Sequence, residues 1–311
     1  MVDQPSEWTP ASWTRASAHA LLGRSYALSR RYALWRMARR RESPIVLLSM
    51  GKTGSTAIAH AVEKATARPV FQVFRLEPAR LRAAEQRYRE RQATARSRGA
   101  RSRGARSRDD DDAKRNPFPG AHHLWESDHL LRHPPSPESP WTVITTVREP
   151  VAQAVSGYFH AARRSGALAD SPTVKDLTDR FVSEHWLQAP QRWFDREFGA
   201  AVGIDAFAQP FDPSAGHAIV ETPAIRLLLL RLESFGRAPS VLASFLGLAA
   251  PVAVPHRNDG ASGRFAPIYR EFLGAAVLPG RLLDEAYGSR YAQHFYAPGE
   301  IAQFRRKWSK R

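Results

Sequence analysis

The sequence lacks cysteine and has no long apolar run. Without cysteine, the chain of 311 residues can form neither a disulfide framework nor a thiolate metal site, which fits a reducing compartment. No segment approaches the roughly 20 apolar residues that a membrane-spanning helix needs. The first seven residues do not form the basic and apolar pattern of a secretory signal. We therefore expect a cytoplasmic protein.

Acidic residues and lysines are also scarce relative to arginine. The chain has 46 basic and 30 acidic side chains, which gives a formal charge of +16. Such a charge favours anionic partners, among them nucleic acid, acidic glycans, anionic lipid and phosphorylated cofactors. Only six of the 46 basic residues are lysines, so a compositional bias without a specific partner is an equal interpretation. The 43% of hydrophobic residues is enough for a real core.

Two basic segments lie outside the predicted core. Residues 1–41 are predicted to form a helical extension. Within it, residues 17–41 interleave leucine and aromatic residues with arginine, which allows peripheral membrane contact but is more often typical of a helix packed on its own domain. Residues 95–108 repeat Ala-Arg-Ser-Arg-Gly, and four aspartates follow. Because this composition cannot form a core, residues 93–116 are predicted to be a disordered insert, with a polyanion-binding arm as the alternative.

Apolar runs alternate with predicted helices from Pro44 onward. Residues 45–50, 70–76 and 141–147 are short runs of the kind that forms strands covered on both faces. Strands that alternate with helices favour a parallel sheet. We therefore predict one α/β domain over residues 42–311, with three layers and a mostly parallel sheet.

The first strand leads into a segment with the features of an anion-binding loop, Gly51-Lys-Thr-Gly-Ser-Thr56. The start of the helix that follows presents unpaired N–H groups and the positive end of the helix dipole. The glycines permit a tight turn, the hydroxyls add donors and the lysine adds a mobile positive charge. We therefore predict an anion site formed by Gly51, Lys52, Thr53, Gly54, Ser55 and Thr56.

A nucleoside-triphosphate loop is the main alternative for this segment. Its pattern, G-x-x-x-x-G-K-S/T, aligns with Gly51 and Lys52, but its first glycine then falls at Val46, inside the predicted strand. The loop that wraps a β-phosphate is therefore missing. This register disfavours a kinase that uses a nucleoside triphosphate.

A second motif lies where the third apolar run ends, at Arg148-Glu-Pro150. Pro150 can open a helix, and Ser156 follows about two helical turns after Arg148. An arginine at the carboxyl end of a strand and a serine from the next helix can together hold a phosphate monoester. Taken alone, Arg-Glu-Pro is also compatible with a surface turn that contains an ion pair.

Together the two motifs resemble the donor site of sulfotransferases that use 3′-phosphoadenosine-5′-phosphosulfate (PAPS). The resemblance implies a P-loop NTPase-like sulfotransferase architecture and transfer without a metal. It also implies that residues 51–56 hold the 5′-phosphosulfate, with Lys52 as a catalytic residue near the reacting sulfur. Arg148 and Ser156 are then expected to hold the 3′-phosphate.

The chain from about residue 44 to residue 311 also resembles bacterial proteins of capsular polysaccharide synthesis. The similar segments include Leu230-Arg-Leu-Glu-Ser-Phe235 and the stretch from Tyr291 to Ile301. This resemblance implies a polysaccharide or a small-molecule hydroxyl as the acceptor. No specific nucleic acid is expected as a partner.

The residue that takes the acceptor's proton is open at this stage. Relatives often carry histidines on the second strand in a His-x-His-like pattern, where this chain has Gln72 and Phe74. Neither side chain takes a proton at neutral pH. His122 and His123 are candidate catalytic bases because imidazole titrates near neutrality, and Glu77 is the acidic candidate.

The sequence thus predicts an enzyme that moves a sulfuryl group from PAPS to a hydroxyl of a polysaccharide or a related acceptor. A member of the same fold that binds a nucleotide or glycan without catalysis is the alternative, since no base is fixed. A polyanion- or RNA-binding protein is a third interpretation, and it depends on the net charge and the arginine repeat alone.

Overall fold

A single five-stranded sheet organises the described part of the chain. The computed structural model describes residue 32 and residues 42–101, 122–168, 172–255 and 264–309. The strand order is β2-β1-β3-β5-β4, and every neighbouring pair is parallel except the antiparallel pair of β4 and β5. The strands are β1 (Ile45–Leu48), β2 (Val70–Val73), β3 (Trp141–Val147), β4 (His217–Glu221) and β5 (Ile225–Arg231). The prediction of an α/β chain with a mostly parallel sheet is confirmed.

Helices connect and cover these strands. Two 3₁₀ turns, Trp186–Gln188 and Leu232–Arg237, and a π-helical turn, Phe194–Gly199, interrupt them. The α-helices of the described ranges are α1 (Ser55–Thr66), α2 (Pro78–Arg101), α3 (His122–Arg132), α4 (Pro150–Ser165), α5 (Val174–Ser183), α6 (Ala189–Trp193), α7 (Ala200–Val202), α8 (Ala238–Leu246), α9 (Ala266–Ala275), α10 (Gly280–Tyr287), α11 (Arg290–Phe295) and α12 (Pro298–Ser309).

Both faces of the sheet are buried, as the uninterrupted apolar runs predict. In β1, Ile45 and Leu47 face a core formed with α1 and α8, whereas Val46 and Leu48 face a core formed with the π-helical turn and α11. The sheet therefore lies between two helical layers. A further apolar core joins α4, α5, α9, α10 and α12.

The strand order creates a crevice at the carboxyl end of the sheet. The chain leaves β1 toward β2 on one side and later returns to β3 on the other side of β1. In doubly wound sheets, ligands bind outside the carboxyl ends of the strands where the winding direction reverses. The predicted anion loop follows β1, and the Arg-Glu-Pro motif follows β3, so both lie at this reversal.

Buried polar contacts attach the C-terminal helices to the carboxyl end of β3. The Tyr291 hydroxyl accepts the N–H of Arg148 at 3.0 Å and donates to the carbonyl oxygen of the same residue at 2.7 Å. The Tyr287 hydroxyl donates to Glu149 Oε1 at 2.7 Å. The Glu149 N–H donates to Glu233 Oε1 at 2.8 Å, which also fixes the end of β5. The position of Arg148 therefore depends on residues about 140 positions later in the chain.

The segment predicted to be a disordered insert is partly helical. Helix α2 continues to Arg101 and so includes the first residues of that segment, whereas disorder of the insert stays a prediction. Alanine, glutamine and arginine are good helix formers, which accounts for a helix that continues into this segment. Residues 102–121 and the predicted N-terminal extension, apart from Tyr32, lie outside the described residues. No helix in the described ranges is long and apolar enough to cross a bilayer.

Gly54 offers a direct test of how tightly the anion loop packs. Its φ is +81°, and a Cβ added there would lie 2.7 Å from Leu232 Cδ1. We expect Gly54→Ala to lower the free energy of unfolding by about 1–3 kcal/mol, because the substitution adds both backbone strain and a steric clash. Urea unfolding followed by circular dichroism measures this loss.

Gly274 in α9 is the matched control for that substitution. An added Cβ meets nothing within 4 Å there, and the backbone is helical. Gly274→Ala should leave stability unchanged or raise it by up to about 1 kcal/mol. Equal effects of the two substitutions would contradict the packing assigned to Gly54.

Candidate functional site

The loop after β1 adopts the curled backbone of an anion site. Lys52 and Gly54 both have left-handed backbone angles, with φ of 70° and 81°. Left-handed geometry costs a lysine roughly 1–2 kcal/mol, so surrounding contacts must hold it in place. Successive N–H groups in such alternating conformations form a concave donor surface that binds anions.

Helix α1 and helix α4 start at the same crevice but differ in how their first N–H groups are satisfied. In α4 the Glu149 carboxylate accepts the N–H groups of Val151 and Ala152 at 2.8 and 2.7 Å. In α1 no side chain caps the N-terminus, and among the described residues the N–H groups of Ser55 and Thr56 have no backbone acceptor. An anion at the crevice is therefore favoured at the start of α1.

The carboxylate of Glu149 is itself buried. Burial raises its pKa above the usual value for glutamate, and the hydrogen bond from Tyr287 and the two capped N–H groups act in the opposite direction. Because this side chain already accepts the N–H groups of Val151 and Ala152, these two donors at the start of α4 are not available to a ligand.

Three hydrogen bonds attach the loop to β3 and α4. The Thr53 hydroxyl donates to the Met50 carbonyl oxygen at 2.9 Å and lies 2.6 Å from the Thr146 hydroxyl. The Arg148 guanidinium donates to the Lys52 carbonyl oxygen at 3.0 Å. The side-chain amide of Gln153 donates to the Gly51 carbonyl oxygen at 2.8 Å. The structure thus brings together the two motifs that the sequence analysis singled out.

The donor set at the start of α1 suits an anion. The side-chain amide of Gln72 donates to Ser55 Oγ at 3.2 Å and to Thr56 Oγ1 at 3.1 Å. Each hydroxyl oxygen accepts in these bonds and so keeps its own hydrogen for donation. Ser156 lies in the second turn of α4 and is 8% exposed, without a direct contact to the loop among the described hydrogen bonds.

The candidate bases occupy different surroundings. Glu77 caps α2, since its carboxylate accepts the N–H groups of Ala79 and Arg80 at 2.9 and 2.8 Å, and these bonds lower its pKa. His123 Nδ1 lies 2.6 Å from the Gln72 carbonyl oxygen. Since a carbonyl only accepts, Nδ1 donates in this bond, and in the neutral imidazole the lone pair then lies on Nε2. His122 is the first residue of α3, and its side chain lies outside the described residues.

His123 is also in ring contact with Phe74. The two ring centroids are 4.7 Å apart in an edge-on arrangement. Gln72, through its carbonyl oxygen, and Phe74, through its ring, therefore both contact the imidazole of His123. The sequence analysis could not foresee this contact, because the residues are about 50 positions apart and belong to different elements.

A cleft of about 500 Å³ adjoins the loop at Gly51. Met50, Gln153 and Phe74 line it, and residues from the segment 184–197 form a further wall. Four arginines face it, against two glutamates; these charged residues are Arg75, Arg80, Arg192, Arg196, Glu184 and Glu197. The sequence analysis missed all six, because they come from two segments more than 100 residues apart.

Glu197 in the π-helical turn supports one wall of this cleft. It is 1% exposed, and its carboxylate accepts the N–H groups of Leu76 and Glu77 at 2.8 and 2.9 Å. Arg80 Nη1 lies 3.0 Å from the other carboxylate oxygen in an ion pair. Burial lowers the pKa of Arg75, and the nearby charge of Glu197 partly offsets that effect. Wide π-turns often occur at functional sites.

Among the described residues, no group of three or more histidine or acidic side chains is placed to hold a metal ion. The prediction of metal-free chemistry remains untested by this observation. The residues at the crevice are instead donors and cations, namely the Arg148 guanidinium, Lys52 and the α1 N–H groups.

Thr53 is the position at which the connection between the loop and the sheet can be tested. Its hydroxyl donates to Met50, so in the Thr53–Thr146 pair the Thr146 hydroxyl is the donor. We expect Thr53→Val to cost about 1–3 kcal/mol of stability, because two buried groups lose their partner. Thr146→Val should cost only about 0.5–1.5 kcal/mol, because Thr53 keeps its bond to Met50.

Urea unfolding of both variants and of the double variant measures these costs and their coupling. Thr178→Val is the matched control, since Thr178 bonds only within α5, to the Val174 carbonyl oxygen. It should change stability by no more than about 0.5 kcal/mol. A larger cost for Thr146→Val than for Thr53→Val would contradict the assigned donor direction.

Comparison with known proteins gives one match. Residues 173–297 match the family model described as "Putative capsular polysaccharide synthesis protein" (NKWYS), which is less than half of the chain. No curated protein and no solved structure matches the chain. The matched residues include the 184–197 wall of the cleft but neither the 51–56 loop nor Arg148. The resemblance expected over residues 44–311 is therefore confirmed for this part, in which the chain is similar to the capsular polysaccharide synthesis family.

Proposed function

We propose that this chain is a sulfotransferase that moves a sulfuryl group from PAPS to a hydroxyl of a polysaccharide or a related acceptor. The observation that carries the proposal is the meeting of the uncapped start of α1 with Arg148 at the reversal of strand order. The start of α1 and Arg148 can each bind a phosphate group. Two such groups at one crevice suit a donor that carries a phosphosulfate at one end and a phosphate monoester at the other.

The chain's own groups would divide the work of donor binding. The N–H groups of Ser55 and Thr56, with their hydroxyls, bind the phosphosulfate end. Arg148 and Ser156 bind the 3′-phosphate, and this contact favours PAPS over nucleotides that lack it. A nucleoside triphosphate fits less well, because Val46 is fully buried in β1 and pairs with Phe71 and Val143.

Lys52 would stabilise negative charge near the bond that breaks. When bound, PAPS supplies the sulfuryl group. The left-handed backbone of Lys52 places this residue within the curled loop rather than on α1. Arg148 donates a hydrogen bond to the Lys52 carbonyl oxygen, so the backbone of the lysine is positioned before any ligand arrives. A preorganised cation stabilises developing charge without further reorganisation.

His123 is the base that we propose for the acceptor hydroxyl. Its hydrogen bond to Gln72 fixes the tautomer with a lone pair on Nε2, and its ring touches Phe74, which lines the cleft. An imidazole from α3 thus approaches the strand positions from which relatives often present histidine. His123 would take the acceptor proton as the acceptor oxygen bonds to sulfur. The bond between sulfur and the bridging 5′-phosphate oxygen would break at the same time, with adenosine 3′,5′-bisphosphate as the leaving group.

The polysaccharide acceptor is supported by the family match, which spans residues 173–297 and one wall of the cleft. An acceptor in this cleft lies beside Gly51 and therefore beside the proposed phosphosulfate site. The family description itself names capsular polysaccharide synthesis without a reaction.

A non-catalytic role in binding a nucleotide or glycan is the second candidate. It is favoured by Gln72, whose amide bonds to Ser55 and Thr56 where relatives often place a histidine. Under this alternative the crevice binds the same ligands, and no sulfate moves. Two results would favour this alternative over the enzyme. The protein would bind the donor without transferring sulfate to any tested acceptor, and His123→Ala would bind its ligands as the unaltered protein does.

Adenosine 3′,5′-bisphosphate tests donor binding against ADP. We expect the bisphosphate to raise the melting temperature by several degrees, since saturation at 100 times Kd stabilises by about 2.7 kcal/mol. ADP should stabilise much less, because it lacks the 3′-phosphate that Arg148 and Ser156 bind. Equal stabilisation by the two ligands, or none by either, would overturn the PAPS assignment.

Lys52→Ala tests the catalytic lysine, with Lys64→Ala as the matched control. Lys64 lies exposed in the last turn of α1, away from the loop. We expect Lys52→Ala to lower kcat for sulfate transfer from radiolabelled PAPS by about 100- to 1000-fold. Lys64→Ala should transfer at the rate of the unaltered protein. Full activity of the Lys52 variant would refute the mechanism.

His123→Ala tests the base. Removal of the imidazole should lower kcat by about 100- to 10,000-fold and abolish the acidic limb of the pH–rate profile. KM for PAPS should stay unchanged, because His123 does not hold the donor. Adding Phe74→His to this variant should restore part of kcat, since position 74 contacts the same space. Retention of the acidic limb in His123→Ala would exclude His123 as the base.

A further inference from the structure

We propose that the cleft beside Gly51 binds an acidic acceptor polysaccharide, with Arg75, Arg192 and Arg196 as the residues that bind its anionic groups. The inference rests on the proposed function for the view that the ligand is a glycan. The acidic character of the ligand comes from the charges of the cleft alone.

The charges that line the cleft do not balance. Of the two glutamates, Glu197 is engaged by Arg80 and by two backbone N–H groups. Glu184 accepts the Trp186 indole N–H at 2.8 Å. Within the described part of the chain, Arg75, Arg192 and Arg196 have no ion pair and no hydrogen bond to a carboxylate. Three guanidinium groups therefore face one space without a partner.

Arg75 is the most informative of the three. It is half-buried, and its charge is disfavoured by burial and by repulsion from Arg80 and Arg87. Removing a charged group from water without a partner is costly, so structure alone gives no reason for an arginine there. An anion in the cleft compensates that cost and would gain a bidentate contact. Glu197 offers only partial compensation, because one of its oxygens accepts two backbone N–H groups and the other is paired with Arg80.

The shape of the cleft suits a sugar chain. A volume of about 500 Å³ lies within the usual range of roughly 300–1,000 Å³ for ligand sites. Phe74 and the largely buried Trp193 also line the cleft, and the Trp193 indole is fixed by its hydrogen bond to the Phe74 carbonyl oxygen at 3.0 Å. A lining that combines apolar and cationic side chains suits sugar rings that carry carboxylates.

The cleft is also separate from the groups assigned to the 3′-phosphate. Arg148 and Ser156 do not line it, whereas Gly51 does. Gly51 is where the cleft meets the anion loop. An acidic glycan in the cleft and a nucleotide on the loop can therefore be bound together, and this simultaneous binding distinguishes an acceptor site from a second part of the donor site.

Isothermal titration calorimetry of the full chain at low salt tests the inference. The acidic probe is a hyaluronan hexasaccharide, which carries a carboxylate on every second sugar, and the neutral probe is N-acetylchitohexaose. We expect the acidic probe to bind at least ten times more tightly, with an affinity that falls as ionic strength rises. Bound adenosine 3′,5′-bisphosphate should leave this affinity unchanged or raise it.

Arg75→Gln and Arg192→Gln identify the surface that binds. We expect Arg75→Gln to bind the hyaluronan hexasaccharide about tenfold less tightly or worse, because the contact of Arg75 with a carboxylate is shielded from water. Arg192→Gln, at an exposed position, should lose about 2- to 5-fold. Arg270→Gln is the matched control, because Arg270 is exposed on α9 outside the cleft. This variant should bind the hyaluronan hexasaccharide as tightly as the unaltered protein.

Several outcomes overturn the proposal. The two probes could bind equally, or all three variants could lose the same affinity for the hexasaccharide. The hexasaccharide could compete with adenosine bisphosphate. A single-stranded RNA of matched charge could bind more tightly than the hexasaccharide in an Arg75-dependent manner. Failure of the proposed function is visible separately. In that case adenosine bisphosphate gives no thermal stabilisation, while the hexasaccharide still binds in an Arg75-dependent manner.

Discussion

The hydrogen bond between the hydroxyls of Thr53 and Thr146 is the contact on which the crevice depends. Both residues are fully buried, and the 2.6 Å bond joins the turn after β1 to the last part of β3. With Thr53 fixed, Lys52 and Gly54 on either side are held in left-handed conformations that a free chain would leave. The curled backbone that presents N–H groups to an anion is thus a consequence of how two neighbouring strands are connected.

The second support of the crevice comes from the far end of the chain. Tyr291 bonds to both the N–H and the carbonyl oxygen of Arg148, and Tyr287 bonds to the buried Glu149. These contacts fix the backbone at the end of β3, while the Arg148 side chain reaches the loop. The matched segment 173–297 contains both tyrosines but not the motifs that they position. The two parts of the chain therefore form one structural unit at the crevice.

Local patterns were enough to predict β1, β3, α4 and the glycine-containing turn after β1, because the burial of a strand and the start of a helix are encoded within about ten residues. Strand β4 was not predicted, since His217–Glu221 is an edge strand with a half-exposed, mixed composition. The cleft was not predicted either. It requires Arg75 to meet the π-helical turn at Glu197, and neither the wide turn nor a contact across more than 100 residues leaves a periodic pattern in the sequence.

Part of the net positive charge is concentrated at the cleft and the crevice. Read from composition, a charge of +16 is compatible with any polyanion or with none. In the fold, Gly51 lines the same cleft as four of the arginines, and the next residue, Lys52, accepts a hydrogen bond from Arg148 at its carbonyl oxygen. Under the proposed function, transfer leaves the acceptor more negative than before, so an unrestrained cluster of cations would hold the product more tightly than the substrate. Glu184 and Glu197 lower the positive potential of the same cleft. Their presence beside unpaired arginines suits a site that must bind an acidic chain and also release it.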